Sequence, residues 1–306
     1  MTSYNPYITL SRDELAHGSA PSNRSLREDQ FQSLLGINEQ LQLEELYEAY
    51  IPLAEILHMR VVAAEQIKQS MSSYFKHQHK PAPFIIGIAG SVAAGKSTTA
   101  RLLQALLSQY SEHPHIDIVT TDGFLLANQE LEQRGIMDKK GFPQSYNTKQ
   151  LLRFLTDVKS GEPEVKAPVY SHVTYDIVPD QHITISSPDI LIIEGINVLQ
   201  VNMESPVFVS DFFDCSLYVD AHVDHLEKWY IERFKMLRQT AFHDSQSYFK
   251  RFTEISEDDA VALAHEVWNK VNLVNLMDNI LPTRNRAQII VQKGEGHRIE
   301  KLFIRK

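Results

Sequence analysis

The fold of this chain is decided by one stretch, Phe84-Ile85-Ile86-Gly87-Ile88-Ala89-Gly90-Ser91-Val92-Ala93-Ala94-Gly95-Lys96-Ser97. It begins with a short apolar run, which predicts a buried strand. From Gly90 it satisfies the pattern G-x-x-x-x-G-K-[ST] in full, which is typical of a phosphate-binding loop. A helical pattern then runs from Lys96 to about Tyr110. Phosphate binding requires a strand before the loop and a helix after it, so a chance glycine-rich turn is a poor explanation.

The residue types in this loop predict a nucleotide phosphate and Mg²⁺ as its ligands. Glycine lets the backbone curl, so that successive N–H groups point at phosphate oxygens. The helix N-terminus adds partial positive charge. Lys96 is expected to place its ammonium group on the terminal phosphates, and Ser97 to offer its hydroxyl to the metal.

Working outward from the loop, the sequence predicts a parallel sheet. Short apolar runs indicate strands at residues 116–120, 190–193 and 216–219. Helical patterns separate these runs, and strands that alternate with helices imply an α/β fold with a parallel sheet covered on both faces.

The chain before this sheet has a different character. Residues 1–30 are polar and are interpreted as a loosely held segment. Residues 37–75 have near-helical apolar spacing, with a boundary or kink expected at Pro52. Residues 1–80 are therefore predicted to be an N-terminal helical extension packed on the core.

The remaining chain, residues 81–306, is predicted to be one P-loop kinase-like domain. Its region of about 222–280 looks mostly helical and rich in aromatic residues, and we expect it to serve the substrate and regulation. Residues 288–292 and 298–304 flank a Gly294-Glu295-Gly296 turn, which predicts a C-terminal β-hairpin.

Composition excludes several classes of protein. The 306 residues carry a formal net charge of −9, which argues against a nucleic-acid-binding protein. The single cysteine, Cys215, allows no disulfide framework within the chain. We see no secretory signal and no apolar run of about 18 residues, so we expect a cytoplasmic protein without a membrane segment.

Two acidic residues end predicted strands, where ligands of parallel sheets bind. Asp122 follows the strand at 116–120, where its carboxylate could accept the proton of an attacking hydroxyl. A turn or helix-cap aspartate is an equally good interpretation of its position. Glu194 ends the strand at 190–193, and we favour a Mg²⁺ ligand there over a solvent-exposed acid.

Two other classes of P-loop protein are disfavoured. A GTPase is expected to carry Asn-Lys-x-Asp, but the nearest string, Asn269-Lys270-Val271-Asn272, lacks the aspartate. A transporter ATPase is expected to carry a Leu-Ser-Gly-Gly-Gln-like signature, which the sequence lacks.

From about residue 35 to residue 305 the chain resembles the type I (prokaryotic) pantothenate kinases. The strings that carry the resemblance are Ile88–Arg101, Thr120–Leu125, Lys140–Pro143, Ala167–His172, Glu194–Gln200, Phe208–Phe212 and Asn279–Arg284. The resemblance implies transfer of the γ-phosphoryl group of ATP to the primary hydroxyl of pantothenate. This reaction is the first step toward coenzyme A.

The resemblance also implies roles for individual residues. Asp122 matches the catalytic base, and Arg233 matches a cation that reaches the transferring phosphate. Other matched residues bind ATP (Gly90, Ser91, Val92, Ala93, Ala94, Gly95, Lys96, Ser97, Thr98, with Asn38 and His297 near the adenine), the substrate (Tyr170, His172, Tyr175, Tyr230, Asn272) and the metal (Ser97, Glu194). A homodimer is implied as well.

Feedback inhibition by coenzyme A is a further implication of the resemblance. The inhibitor would overlap the ATP phosphate site and bury its pantetheine end among aromatic residues, near Phe234, Phe242 and Phe252. The sequence departs from the family at Leu237, where an aromatic residue is usual, and at Phe252, which replaces a tyrosine.

The residues alone leave simpler interpretations open. Tyr170 and Tyr175 could be packing residues, and His172 a surface histidine. The three phenylalanines, with Trp229 and Trp268, could fill a helical core. Arg233 could pair with Glu232 or Glu227. Competing functions are a related kinase acting on uridine or ribulose 5-phosphate, and a nucleotide-binding regulator without transferase activity.

Overall fold

The computed structural model describes residues 5–18, 24–76, 80–201 and 205–306. In these ranges the strands are β1 Tyr7–Ser11, β2 Phe84–Gly90, β3 Ile116–Thr120, β4 Val165–Ser171, β5 Asp176–Ile185, β6 Ile190–Glu194, β7 Cys215–Ala221, β8 Ile289–Lys293 and β9 Ile299–Arg305. The α-helices are α1 Arg12–Gly18, α2 Glu28–Leu34, α3 Leu43–Glu45, α4 Ile51–Phe75, α5 Lys96–Leu107, α6 Asn128–Gln133, α7 Thr148–Lys159, α8 Val223–Gln239, α9 Glu257–Val267 and α10 Leu273–Asn275.

One sheet of seven strands forms the centre, in the order β1-β9-β8-β7-β2-β6-β3. From β3 to β8 neighbouring strands are parallel, whereas β9 and β1 are antiparallel to their neighbours. All residues of β2 and β6 are buried, as expected for strands covered on both faces. The predicted parallel α/β sheet and the C-terminal hairpin are therefore confirmed.

The segment before residue 30 differs from its prediction. Tyr7–Ser11 is strand β1, which pairs with β9 from Tyr7↔Arg305 to Ser11↔Lys301. The phenol of Tyr7 also donates a hydrogen bond to the carbonyl of Ala287 at 2.8 Å. The prediction of a loosely held segment was wrong here, because pairing with a distant partner stabilises a run that is too short to show a local pattern. Residues 1–4 and 19–23 of that segment lie outside the described residues.

Helix α4 dominates the predicted helical subdomain. A π-helical turn, Leu46–Tyr50, leads into it with helical backbone at Tyr50 and Ile51, so Pro52 follows this wider turn inside a continuous helical stretch. The boundary or kink expected at Pro52 is found as this change from π-helical to α-helical backbone. Leu53 and Leu57 are buried, whereas Tyr74 near the far end is 82% exposed. Within the described ranges, no helix has both the length and the apolar character needed to cross a membrane.

A second, two-stranded sheet was not predicted. Strands β4 and β5 form an antiparallel hairpin that packs against the 3₁₀ turn Thr121–Phe124 at the end of β3. The approach is close, because a Cβ atom on Gly123 would lie 2.2 Å from the carbonyl oxygen of Pro168. This hairpin brings Tyr170 beside the carboxyl edge of the main sheet.

Candidate active site

The phosphate-binding loop lies at the topological switch point of the sheet. The loop follows β2, whose neighbours β6 and β7 lie on opposite sides of it, and ligands of α/β sheets bind at such points. Gly90 and Gly95 have φ angles of 145° and 82°, in the region that favours glycine. A Cβ atom on Gly90 would lie 2.4 Å from the carbonyl oxygen of Val219, so the first glycine of the motif is required sterically.

Lys96 interacts with the other charged residues of the site. Its ammonium group donates a hydrogen bond to the carbonyl of Ser91 at 2.9 Å. Burial lowers the pKa of Lys96, whereas the carboxylates of Glu194 and Asp122 act in the opposite direction and Arg233 adds to the lowering. Glu194, Asp122 and Arg233 therefore each lie within electrostatic reach of Lys96.

Ser97 and Glu194 form a pair of oxygen ligands that fits Mg²⁺. The hydroxyl of Ser97 donates to Oε1 of Glu194 at 2.9 Å. Magnesium is usually held by one or two carboxylates together with substrate phosphates and water. No group of three or more His, Cys, Asp or Glu residues that could hold a metal occurs in the part of the chain that the structure describes. A metal at this pair would therefore take its remaining ligands from the nucleotide and from water.

Asp122 lies in the 3₁₀ turn that follows β3, and its side chain is half-buried. The cap of this turn is Thr120, whose hydroxyl accepts a hydrogen bond from the N–H of Asp122 at 3.4 Å. The carboxylate of Asp122 is thus not the cap, which weakens the structural alternative left open by the sequence. Its role as a base stays a prediction.

The five predicted substrate residues lie in one cluster. The ring of Tyr170 lies 5.1 Å from that of His172 and 6.4 Å from that of Tyr175. Burial, followed by the nearby phenol of Tyr230, raises the pKa of Tyr175 to about 12. Burial raises the pKa of Tyr230, on α8, and the nearby side chain of Asn272 opposes that rise. The hairpin and the C-terminal helices therefore face each other across this cluster.

Lys140 belongs to this cluster and was not singled out from the sequence. Its ammonium group donates to Oδ1 of Asn128 and to the carbonyl of Tyr175, each at 2.5 Å, and lies 4.1 Å from the centre of the Tyr175 ring. Burial lowers the pKa of Lys140 to about 8, against the opposing effects of Asp176 and Asp122. The signal available was its place in the Lys140–Pro143 string of the family resemblance.

The two residues predicted near the adenine also lie together. Nδ2 of Asn38 is 3.5 Å from Nε2 of His297 and donates to the carbonyl of Trp229 at 3.2 Å. The imidazole of His297 stacks on the Trp229 ring with the ring centres 3.8 Å apart. Burial and the neighbouring Lys293 lower the pKa of His297 to about 4, so the ring is neutral near pH 7.

Two buried charged residues below the loop, Lys293 and Glu39, were not singled out from the sequence. Lys293 and Glu39 are 1% and 8% exposed. A Cβ atom on Gly95 would lie 2.5 Å from Nζ of Lys293 and 2.6 Å from Oε1 of Glu39, so both groups contact the last glycine of the loop. Burial alone would lower the pKa of Lys293, but Tyr50 and Glu39 outweigh it and raise the pKa. Lys293 therefore stays charged beneath the loop.

The predicted phenylalanines form an aromatic cluster next to the substrate tyrosines. The rings of Phe242 and Phe252 each lie 5.5 Å from that of Phe234. Phe249, which was missed, lies 5.1 Å from Phe242 and 5.0 Å from Tyr175, and so joins this cluster to the substrate residues. Arg233 is exposed and has no ion pair among the described residues, so the proposed pairing with Glu232 or Glu227 is not found.

The known proteins that this chain matches are kinases. Residues 85–250 match the phosphoribulokinase/uridine kinase family. The pantothenate kinase of Halalkalibacterium halodurans is 52% identical, over 98% of this chain and 96% of its own. That of Brevibacillus brevis is 49% identical, over 98% and 96%. Among solved structures, the D-glycerate 3-kinase from Cryptococcus neoformans is similar in fold alone, with a TM-score of 0.55 and 13% identity over 81% of this chain and 97% of that one.

Proposed function

The chain belongs to the phosphoribulokinase/uridine kinase family and, within it, to the pantothenate kinases, and from that membership we propose that it transfers the γ-phosphoryl group of ATP to pantothenate. The observation that carries the proposal is 52% identity to a pantothenate kinase over nearly the whole of both chains. The product is 4′-phosphopantothenate, and the reaction is the first step of coenzyme A biosynthesis.

The donor half of the reaction is supported by the loop and its neighbours. Lys96 and the loop N–H groups bind the phosphates, and Ser97 and Glu194 hold Mg²⁺. The metal, when bound, neutralises charge on the transferring group. Arg233 lies near enough to Lys96 to act on its charge, and we assign it to the same phosphate. We place the adenine beside Asn38 and the neutral ring of His297.

The acceptor half is supported by the cluster around Tyr170. Pantothenate carries a carboxylate, an amide and two hydroxyls, and the cluster offers phenol, imidazole and amide groups from His172, Tyr175, Tyr230 and Asn272 as hydrogen-bond partners. Asp122 accepts the proton of the primary hydroxyl as that oxygen attacks phosphorus. Lys140 adds a cation on the acceptor side. Positioning and charge stabilisation then supply most of the rate enhancement.

The substrate is tested by an ADP-release assay with pantothenate, uridine and ribulose 5-phosphate as alternative acceptors. We expect turnover with pantothenate. Uridine is the specific alternative, because the matched family includes uridine kinases. Turnover of uridine without turnover of pantothenate would overturn the assignment, and ATP binding without any phosphorylated product would favour a regulator.

Coenzyme A is proposed as an inhibitor that competes with ATP. Its phosphates would occupy the loop, and its pantetheine end would lie against the cluster of Phe234, Phe242 and Phe252. Replacement of Lys96 by methionine should then weaken the binding of ATP and of coenzyme A together. Loss of one with full retention of the other, measured by calorimetry, would contradict a shared site.

We also propose a cytoplasmic homodimer. ATP, the phosphoryl donor, is available in the cytoplasm. The exposed apolar residues near the end of α4, Ile67, Met71, Tyr74 and Phe75, offer a surface for a second copy. Light scattering of the purified chain tests the dimer, and a monomer at micromolar concentration would contradict it.

A further inference from the structure

The phenol oxygen of Tyr146 is buried without a hydrogen-bond partner among the described residues. This oxygen is inaccessible to solvent. A buried hydroxyl without a partner destabilises the folded state, because it has lost its hydrogen bonds to water. Such groups are uncommon in native proteins and call for a specific explanation.

The backbone holds Tyr146 firmly in this position. Tyr146 forms an antiparallel bridge with Leu125. On either side, the N–H of Asn147 donates to the carbonyl of Phe124 at 2.7 Å, and the N–H of Leu126 donates to the carbonyl of Ser145 at 2.8 Å. The segment that carries Tyr146 is therefore bound to the turn that carries Asp122.

The groups that surround the phenol are those of the reaction centre. Burial raises the pKa of Tyr146 well above its usual value, and Asp122, Tyr170, Glu194 and Tyr175 raise it further, in that order. The phenol is consequently neutral at any pH at which the protein works, and it keeps a proton to donate. Of these neighbours, Tyr170 and Tyr175 lie on the acceptor side, and Asp122 is the predicted base.

We propose that the hydroxyl of Tyr146 donates a hydrogen bond to the acceptor substrate and so positions it against Asp122. The proposal rests on the proposed function, since it takes the acceptor to be pantothenate. The substrate then supplies the partner that the folded chain lacks. A neutral donor suits this place, because a third anion beside Asp122 and Glu194 would be repelled.

The variant Tyr146→Phe removes the hydroxyl and keeps the ring. Without pantothenate, its melting temperature should equal or exceed that of the wild type, because no hydrogen bond is lost and an unpartnered group is removed. Its kcat/KM for pantothenate should fall about 2- to 12-fold, the usual effect of losing one neutral hydrogen bond. The KM for ATP and the dissociation constant of ATP should not change.

Tyr110→Phe is the matched control, since Tyr110 is a buried tyrosine beyond the opposite end of α5. It should leave kcat/KM for pantothenate unchanged. An unchanged kcat/KM in Tyr146→Phe would overturn the proposal. So would a lower melting temperature with equal losses of ATP and pantothenate binding, which would indicate a structural role. Failure of the wild type to phosphorylate pantothenate would instead refute the proposed function, which is measured separately.

Discussion

Raising the pH from about 7 to about 9 should slow the reaction, because the ammonium group of Lys140 loses its proton in that range. Burial among Asn128, Tyr170 and Tyr175 lowers the pKa of this lysine to about 8. Lys140 lies on the acceptor side, near enough to Asp122 for their charges to interact, and we expect it to hold the transferring phosphoryl group where that group meets the acceptor hydroxyl. The protonated enzyme is then the fully active form. A change of pH therefore tests the role of Lys140 without a mutation.

The expected fall in activity follows from the pKa of Lys140. With a pKa of about 8, about nine tenths of Lys140 is charged at about pH 7 and about one tenth at about pH 9. Because kcat/KM reports the free enzyme, kcat/KM for ATP should fall about tenfold over this interval. Bound phosphates favour the charged form of the lysine, so the fall in kcat should occur at higher pH than the fall in kcat/KM.

The assay is ADP release at subsaturating ATP over a range of pH at constant ionic strength. In Lys140→Arg the alkaline fall should disappear, because a guanidinium group stays protonated. In Lys139→Arg, a change at the neighbouring exposed lysine, the fall should remain. The reasoning is refuted if Lys140→Arg keeps the same alkaline fall, or if the wild type shows none.

Two further predictions concern the base and the buried pair. Asp122→Ala should lower kcat by about 10²- to 10⁴-fold and leave the ATP dissociation constant unchanged, and near-normal turnover would show that Asp122 is not the base. Lys293→Met should lower the free energy of unfolding by about 1–3 kcal/mol in urea titrations, because it removes the buried cation whose charge favours the ionised form of buried Glu39. The double variant Lys293→Met/Glu39→Gln should regain part of that loss. If it is less stable than Lys293→Met, the charges are not coupled.

The sequence predicted those parts of the molecule that depend on local pattern. The loop, its strand and its helix were found because their residues are contiguous and the motif has a fixed spacing. Strands β3, β6 and β7 were found because buried parallel strands are apolar throughout. Strand β1 was missed because its pairing with β9 joins residues as far as 298 positions apart, which no local pattern reveals.

The residues of the candidate site likewise fall into those that a local pattern predicted and those that it did not. Asp122 and Glu194 were found because the ends of parallel strands share one edge of the sheet. Lys140, Lys293 and Tyr146 were missed because each is defined by burial, and burial depends on elements far away in the chain. Lys293, for example, contacts Gly95 only because β8 ends beside the loop. The family resemblance named the substrate residues, and the hairpin that carries Tyr170 shows how they come together.

The pairing of β1 with β9 has a consequence for how the chain is made. During translation β1 leaves the ribosome long before β9, the strand that completes its hydrogen bonds and the last of the nine strands in the described residues. At about 5–20 residues per second, β1 waits on the order of 15–60 seconds for its partner. The sheet can thus be completed at this edge only after β9 has been synthesised. A nascent chain that stops before Ile299 leaves the outer side of β8 without its neighbour and open to pairing with other chains.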